Sequence, residues 1–132
     1  MKKLGAVLLV AGVLGGCGGG ALFSGPSNNV EQPVPADYKA QMAAFFRTYL
    51  KDPREIREAV VAEPAQRTVG GNPRYVVCTR FNARDNDGNY RGASVRAVVF
   101  VDGRLDRAIE PPGDLCAGVA YAPFPELQAL QR

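Results

Sequence analysis

Between Pro35 and Lys51, apolar residues recur at helical spacing. Tyr38, Met42, Phe45, Phe46 and Tyr49 fall on one stripe, while Lys39, Gln41, Arg47 and Thr48 lie off it. The pattern predicts an amphipathic helix whose stripe is a core face. Pro35 suits a first helical turn, where its missing N–H costs nothing, and Asp37 suits the positive end of the helix dipole. The helix is expected to stop near Lys51, because Pro53 disfavours helical backbone at Asp52. "DPRE" then reads as a fresh start signal, with Asp52 as N-cap, Pro53 first and Glu55 third. A helical turn is expected there, followed by a strand through "EAVVAEP".

Further on, the period changes from helical to two. In "RYVVCTRFNARD", Tyr75, Val77, Thr79, Phe81 and Ala83 point one way and Val76, Cys78, Arg80, Asn82 and Arg84 the other. In "SVRAVVFVDG", Val95, Ala97, Val99 and Val101 share one face and Arg96, Val98 and Phe100 the other. Asp102-Gly103, between "VVFV" and "RLDRAI", is a two-residue hairpin signal. Three consecutive strands in an antiparallel meander follow. The tail "PPGDLCAGVAYAPFP" is too rich in proline and glycine to predict regular structure, and a short helix is expected at "PELQAL". The expected fold class is α+β: one amphipathic helix on a small antiparallel meander, with an irregular C-terminal tail.

The N-terminus follows another logic. "MKKLGAVLLVAGVLGGC" has a basic start, an apolar run from Leu4 to Leu14 and small residues after it. That is a secretory signal whose apolar run is too short to span a bilayer. Its end, "LGGC", resembles the lipobox of bacterial lipoproteins. The resemblance implies removal of residues 1–16, S-acylation of Cys17 by diacylglycerol and acylation of the new amino group. Gly18, where enteric lipoproteins retained in the inner membrane carry Asp, points to the outer membrane. Two or more acyl chains hold a protein on a bilayer at about 0.8 kcal/mol per buried methylene. Residues 17–34 are expected to be the lipidated cysteine and a Gly/Ser/Asn/Pro-rich tether, with a reach of roughly 20–25 Å by random-coil scaling. Residues 35–132 are then one globular domain.

Composition narrows the function. The 132 residues are 46% hydrophobic, enough for one small domain. The formal charge of +3 includes Lys2 and Lys3 of the signal; without them 14 basic side chains face 13 acidic ones. Arg74, Arg80, Arg84, Arg91 and Arg96 alternate with acids, which argues against a nucleic-acid partner. Of three cysteines, Cys17 belongs to the lipobox. Cys78 and Cys116 remain, an even pair in an oxidising compartment, so a disulfide between them is expected. It would tie the tail to the first meander strand and stabilise the fold by about 3–4 kcal/mol through loop-closure entropy.

The chain has no histidine, which removes Ser-His-Asp catalysis and histidine-based zinc or haem sites. It has no C-x-x-C, no Walker motif and no G-x-G-x-x-G. Paired carboxylates for glycoside cleavage stay open, but no feature selects a pair. "DNDGN" carries Asp85, Asp87 and Asn89 at calcium-loop spacing. Tyr90 stands where that loop needs glycine and Arg96 where it needs a bidentate carboxylate, so a tight hairpin is the reading. No metal and no cofactor are expected.

From "YLKDP" through "VCTRFNARDNDGNYRG", the chain resembles a family of small, uncharacterised Gram-negative envelope lipoproteins. The shared pattern falls on Tyr49, Leu50, Lys51, Asp52, Pro53, Val77, Cys78, Asn82, Ala83, Arg84, Gly88, Tyr90 and Gly92, with Thr79 where the family carries glycine. The resemblance covers about the middle half of the chain. It implies a fold and a compartment and no activity, so it brings no catalytic residue.

The expected function is non-catalytic: a membrane-anchored, periplasm-facing lipoprotein that binds another envelope protein or the cell wall, or has a structural role. Tyr90 and Arg91, on the hairpin from Asp85 to Gly92, are the candidate contact, since Tyr and Arg are over-represented among binding hot spots. Tyr90 folded back over the sheet is the other reading of that residue. The alternatives for the whole protein are a periplasmic inhibitor of a wall-degrading enzyme and a carboxylate-dependent hydrolase.

Overall fold

A computed structural model describes residues 31–131, so the signal, Cys17 and most of the expected tether lie outside the described residues. The elements, in order, are α1 (Tyr38–Tyr49), β1 (Asp52–Ala62), β2 (Ala65–Val69), β3 (Asn72–Arg84), β4 (Ser94–Val101), β5 (Arg104–Ile109), a 3-10 turn (Gly113–Cys116), β6 (Tyr121–Pro123) and α2 (Pro125–Gln128). The strands form one six-stranded antiparallel sheet in the order β5-β4-β3-β1-β6, with β2 also paired to β3. The fold is α+β.

Helix α1 forms where the stripe predicts. Met42 and Phe46, one turn apart, are fully buried, and Phe46 meets Phe81 of β3 edge-on with ring centroids 5.0 Å apart. The stripe does not hold to its end: Tyr49 is 54% exposed and stacks on Phe45 at 4.9 Å. Tyr49 is the last helical residue, and its ring packs on Phe45 and Phe46 of its own helix. Leu50 is already extended, two residues before the Asp52 that Pro53 keeps out of the helix.

"DPRE" is not a helical turn; β1 begins at Asp52. The Asp52 carboxylate does accept the Arg54 N–H, at 3.1 Å, as an N-cap would. Pairing with β3 prevails because it buries Pro53, Ile56, Ala59 and Val61. Those positions lie three, three and two residues apart, which no regular strand permits. Register shifts between Asp52 and Arg57 and between Arg57 and Val60 take up the difference. Glu55 and Glu58, both at φ 56, lie within the two shifted segments.

The β2–β3 hairpin, absent from the expected meander, turns on Gly70 and Gly71 at φ 58 and 82, a pair of left-handed residues that side chains other than glycine resist. β1 and β2 thus run along the same side of β3, interrupted at Glu63-Pro64. The β4–β5 hairpin turns at Asp102-Gly103 as the sequence predicts.

Alternation on β3 and β4 divides two cores. Val77, Phe81, Val98 and Phe100 face α1 and α2, where Phe124 and Leu127 complete the packing. Val76, Cys78, Ala97 and Val99 face the tail. There Cys78 and Cys116 are joined by a disulfide, with Cα atoms 5.8 Å apart. The tail is less irregular than expected: Tyr121–Pro123 add β6 to the outer edge of β1. The packed chain also starts earlier than Pro35. Gln32 is 5% exposed; its Oε1 accepts the Asp102 N–H at 2.7 Å, so it docks on the β4–β5 hairpin.

Candidate functional site

The hairpin from Asp85 to Gly92 is built by its first residue. One oxygen of the Asp85 carboxylate accepts the N–H groups of Asp87 at 2.9 Å and Asn89 at 3.0 Å; the other pairs with the Arg91 guanidinium. The Asn89 backbone bond, and then Arg91, hold this carboxyl below the usual 3.8. Gly88, at φ 80, closes the turn. Asn82 fixes the far end, its Oδ1 accepting the Gly92 N–H at 3.1 Å.

These bonds lead Tyr90 back to the sheet. Its hydroxyl donates to the Glu55 carbonyl at 2.6 Å and accepts the Arg84 Nε–H at 3.2 Å. The Arg57 guanidinium lies over its ring, 3.8 Å from the centroid, and that of Arg84 is 5.4 Å away. Tyr90 is therefore half-buried and tied to the β1 bulge. Arg91, the other candidate contact, is exposed except for its ion pair with Asp85.

Arg84 also ion-pairs with Glu55 and lies 3.9 Å from Asp52, whose carboxylate is bonded to Arg54 at 3.0 Å. The Arg54 bonds hold Asp52 below 3.8, and the Tyr90 hydroxyl, ahead of these carboxylates, raises Arg84. A second stack lies on the same sheet face: the Arg80 guanidinium is 5.2 Å from the ring centroid of Tyr121 in β6. Among the described residues neither Arg57 nor Arg80 pairs with a carboxylate. Both side chains are exposed.

The structure thus brings Tyr90 together with Arg57, Arg84 and Glu55, which lay in separate parts of the sequence reading. Cys78 lies on the same face of β3 as Arg80 and Arg84 by alternation, where its bridge to Cys116 joins the tail to the sheet, and Cys17 lies outside the described residues. Sequence reasoning missed Arg57, because its strand was read as a helical turn and its register with Tyr90 is not local. It also placed Tyr49 in the core, whereas Tyr49 and Val34 are the exposed large hydrophobic residues among those described. A groove of about 270 Å³ beside Glu55 is lined by Arg54, Glu55, Gln128, Ala129, Leu130 and Gln131 and holds a single carboxylate. Among the described residues no three His, Cys, Asp or Glu side chains are grouped to hold a metal, and no helix is long and apolar enough to cross a membrane.

No protein-family model, no curated protein and no solved structure matches the chain. The likeness to small envelope lipoproteins rests on the motif residues alone.

Proposed function

We propose that this protein is a lipid-anchored lipoprotein of the cell envelope, facing the periplasm and working by contact rather than by chemistry. The lipobox ending at Cys17 supports the anchor. The observation that carries the contact role is the Arg57–Tyr90 stack: an exposed guanidinium held 3.8 Å over an aromatic ring, with no carboxylate paired to it among the described residues. Cation–π contact orients the arginine without consuming its charge, which leaves its donors for a partner. Tyr90 is in this reading the platform and Arg57 the contact, with Arg91 on the adjoining loop. An anchor on Cys17 confines such a surface near the membrane and raises its effective concentration towards envelope partners.

Two measurements test this. Radiolabelled palmitate should enter the wild type and not Cys17→Ser, and the label should sediment with outer membranes. Chemical cross-linking in intact cells should trap an envelope component that Arg57→Gln with Arg91→Gln no longer traps. Equal palmitate labelling of wild type and Cys17→Ser contradicts the anchor, and unchanged trapping contradicts the contact surface.

A further inference from the structure

Arg57 and Arg80 form a pair that the hairpin does not explain. In the β1–β3 register Arg57 stands opposite Asn82 and Val60 opposite Arg80, so the two arginines are diagonal neighbours on adjacent strands. Such neighbours have Cα atoms about 7–8 Å apart. They share a face. Arg57 and Arg84 both approach the Tyr90 ring, and Arg80, four residues before Arg84 on β3, points the same way by alternation. Each rests on its own tyrosine, Tyr90 at 3.8 Å and Tyr121 at 5.2 Å. Asp52 and Glu55, the carboxylates of the adjoining cluster, are engaged by Arg54 and Arg84.

We infer that this face recognises an extended acidic peptide segment, with Arg57 and Arg80 each taking one carboxylate. The inference rests on the reading of the protein as a binding protein and names the chemistry of its partner. Separate rings hold the two guanidiniums apart, which fits two anionic groups rather than one phosphate. Side chains at alternate positions of an extended peptide repeat every ~6.7 Å on one face, close to the spacing of the arginine pair. A planar guanidinium with its face on a ring keeps its edge N–H groups for bidentate carboxylate bonds. The ligand is thus a strand-like segment with acidic residues at every second position.

The test uses the full-length protein in detergent, labelled with ¹⁵N, and follows the arginine Nε–H resonances. A synthetic peptide with glutamates at alternate positions should shift the Arg57 and Arg80 signals saturably. Arg57→Gln and Arg80→Gln should each weaken binding by about tenfold or more, the usual effect of losing a charge-assisted bond. Arg104→Gln, on β5, should bind as the wild type does. Absence of a saturable shift overturns the inference. So does an equal shift, at the same anion concentration, from inorganic phosphate or from phosphatidylglycerol vesicles. If palmitate labelling and cross-linking succeed but the peptide does not bind, this inference alone falls. If the peptide binds and the Arg57→Gln, Arg80→Gln double variant still traps the same envelope component, the peptide site stands and the contact surface proposed above falls.

Discussion

The hydroxyl of Tyr90 and the backbone carbonyl of Glu55 meet at 2.6 Å across 35 residues of chain. The bond joins the hairpin to a strand position whose φ of 56 is costly for a glutamate. It therefore ties the hairpin, the bulge and the arginines stacked above them into one unit. Removing the hydroxyl alone, in Tyr90→Phe, should destabilise the fold by about 0.5–1.5 kcal/mol, the usual net value of such a bond. Tyr90→Ala should cost more, about 2–3 kcal/mol, because the ring's packing is lost as well. Urea unfolding of the three proteins measures both steps. Equal stability of wild type and Tyr90→Ala would show that the ring does not hold the bulge.

Glu58 carries the same left-handed backbone, and among the described residues its side chain makes no hydrogen bond or ion pair that would compensate it. Glu58→Gly should stabilise the domain by about 0.5–1 kcal/mol, the left-handed penalty less glycine's extra unfolded-state entropy. Glu58→Val, branched at Cβ, should destabilise it. Thermal midpoints that move in the opposite order would count against the bulge geometry.

Arg96 lies on the α1 side of β4, its side chain 13% exposed, with its guanidinium 4.3 Å from the Phe81 ring centroid. Glu110 is its ionic partner, Nε to Oε2 being 3.0 Å, but neither buried Nε nor Nη1 makes a well-directed hydrogen bond. Glu110→Ala should leave a buried cation without a partner and cost about 1–3 kcal/mol. Arg96→Met in that background should recover most of the loss. A double variant no more stable than Glu110→Ala would show that the pair is not the source of the effect.

Asp85 makes the hairpin sensitive to acid. Its folded-state pKa is depressed, first by the Asn89 backbone bond and then by Arg91. The stability it contributes is therefore fully present above its usual 3.8 and is lost as pH falls below that value through the lowered one. Unfolding free energy followed downward from pH 5 should fall less steeply for Asp85→Asn than for the wild type. Parallel curves would contradict the role given to this carboxylate.

The alternation on β3 and β4 was legible because both faces of these strands are covered and each second residue has a fixed destination: Val77 and Phe81 towards α1, Val76 and Cys78 towards the tail. The cysteine pair was legible by counting. β1 was not. Its two bulges turn a period of two into steps of three, so that Pro53, Ile56 and Ala59 imitate a helix face. β2 is five residues long with a polar centre, Gln66 to Thr68, and is a strand only because the Gly70-Gly71 turn lays it on β3. β6 exists through its pairing with Val60, Val61 and Ala62, and so depended on the strand that was misread. The cluster around Tyr90 was hidden for the same reason. The hairpin was visible in "DNDGN", but its return onto Arg57 is a matter of register across a bulge.

Site-specific photo-cross-linking in living cells addresses the central claim, that the sheet face around Arg57 and Tyr90 is the contact surface of a lipid-anchored protein. A photoreactive amino acid placed at Arg57, Arg80 or Arg91 should yield a discrete adduct with an envelope component. The same group at Arg104 or Arg107 of β5 should yield none. Adducts from β5 with none from Arg57 or Arg80 would contradict the account.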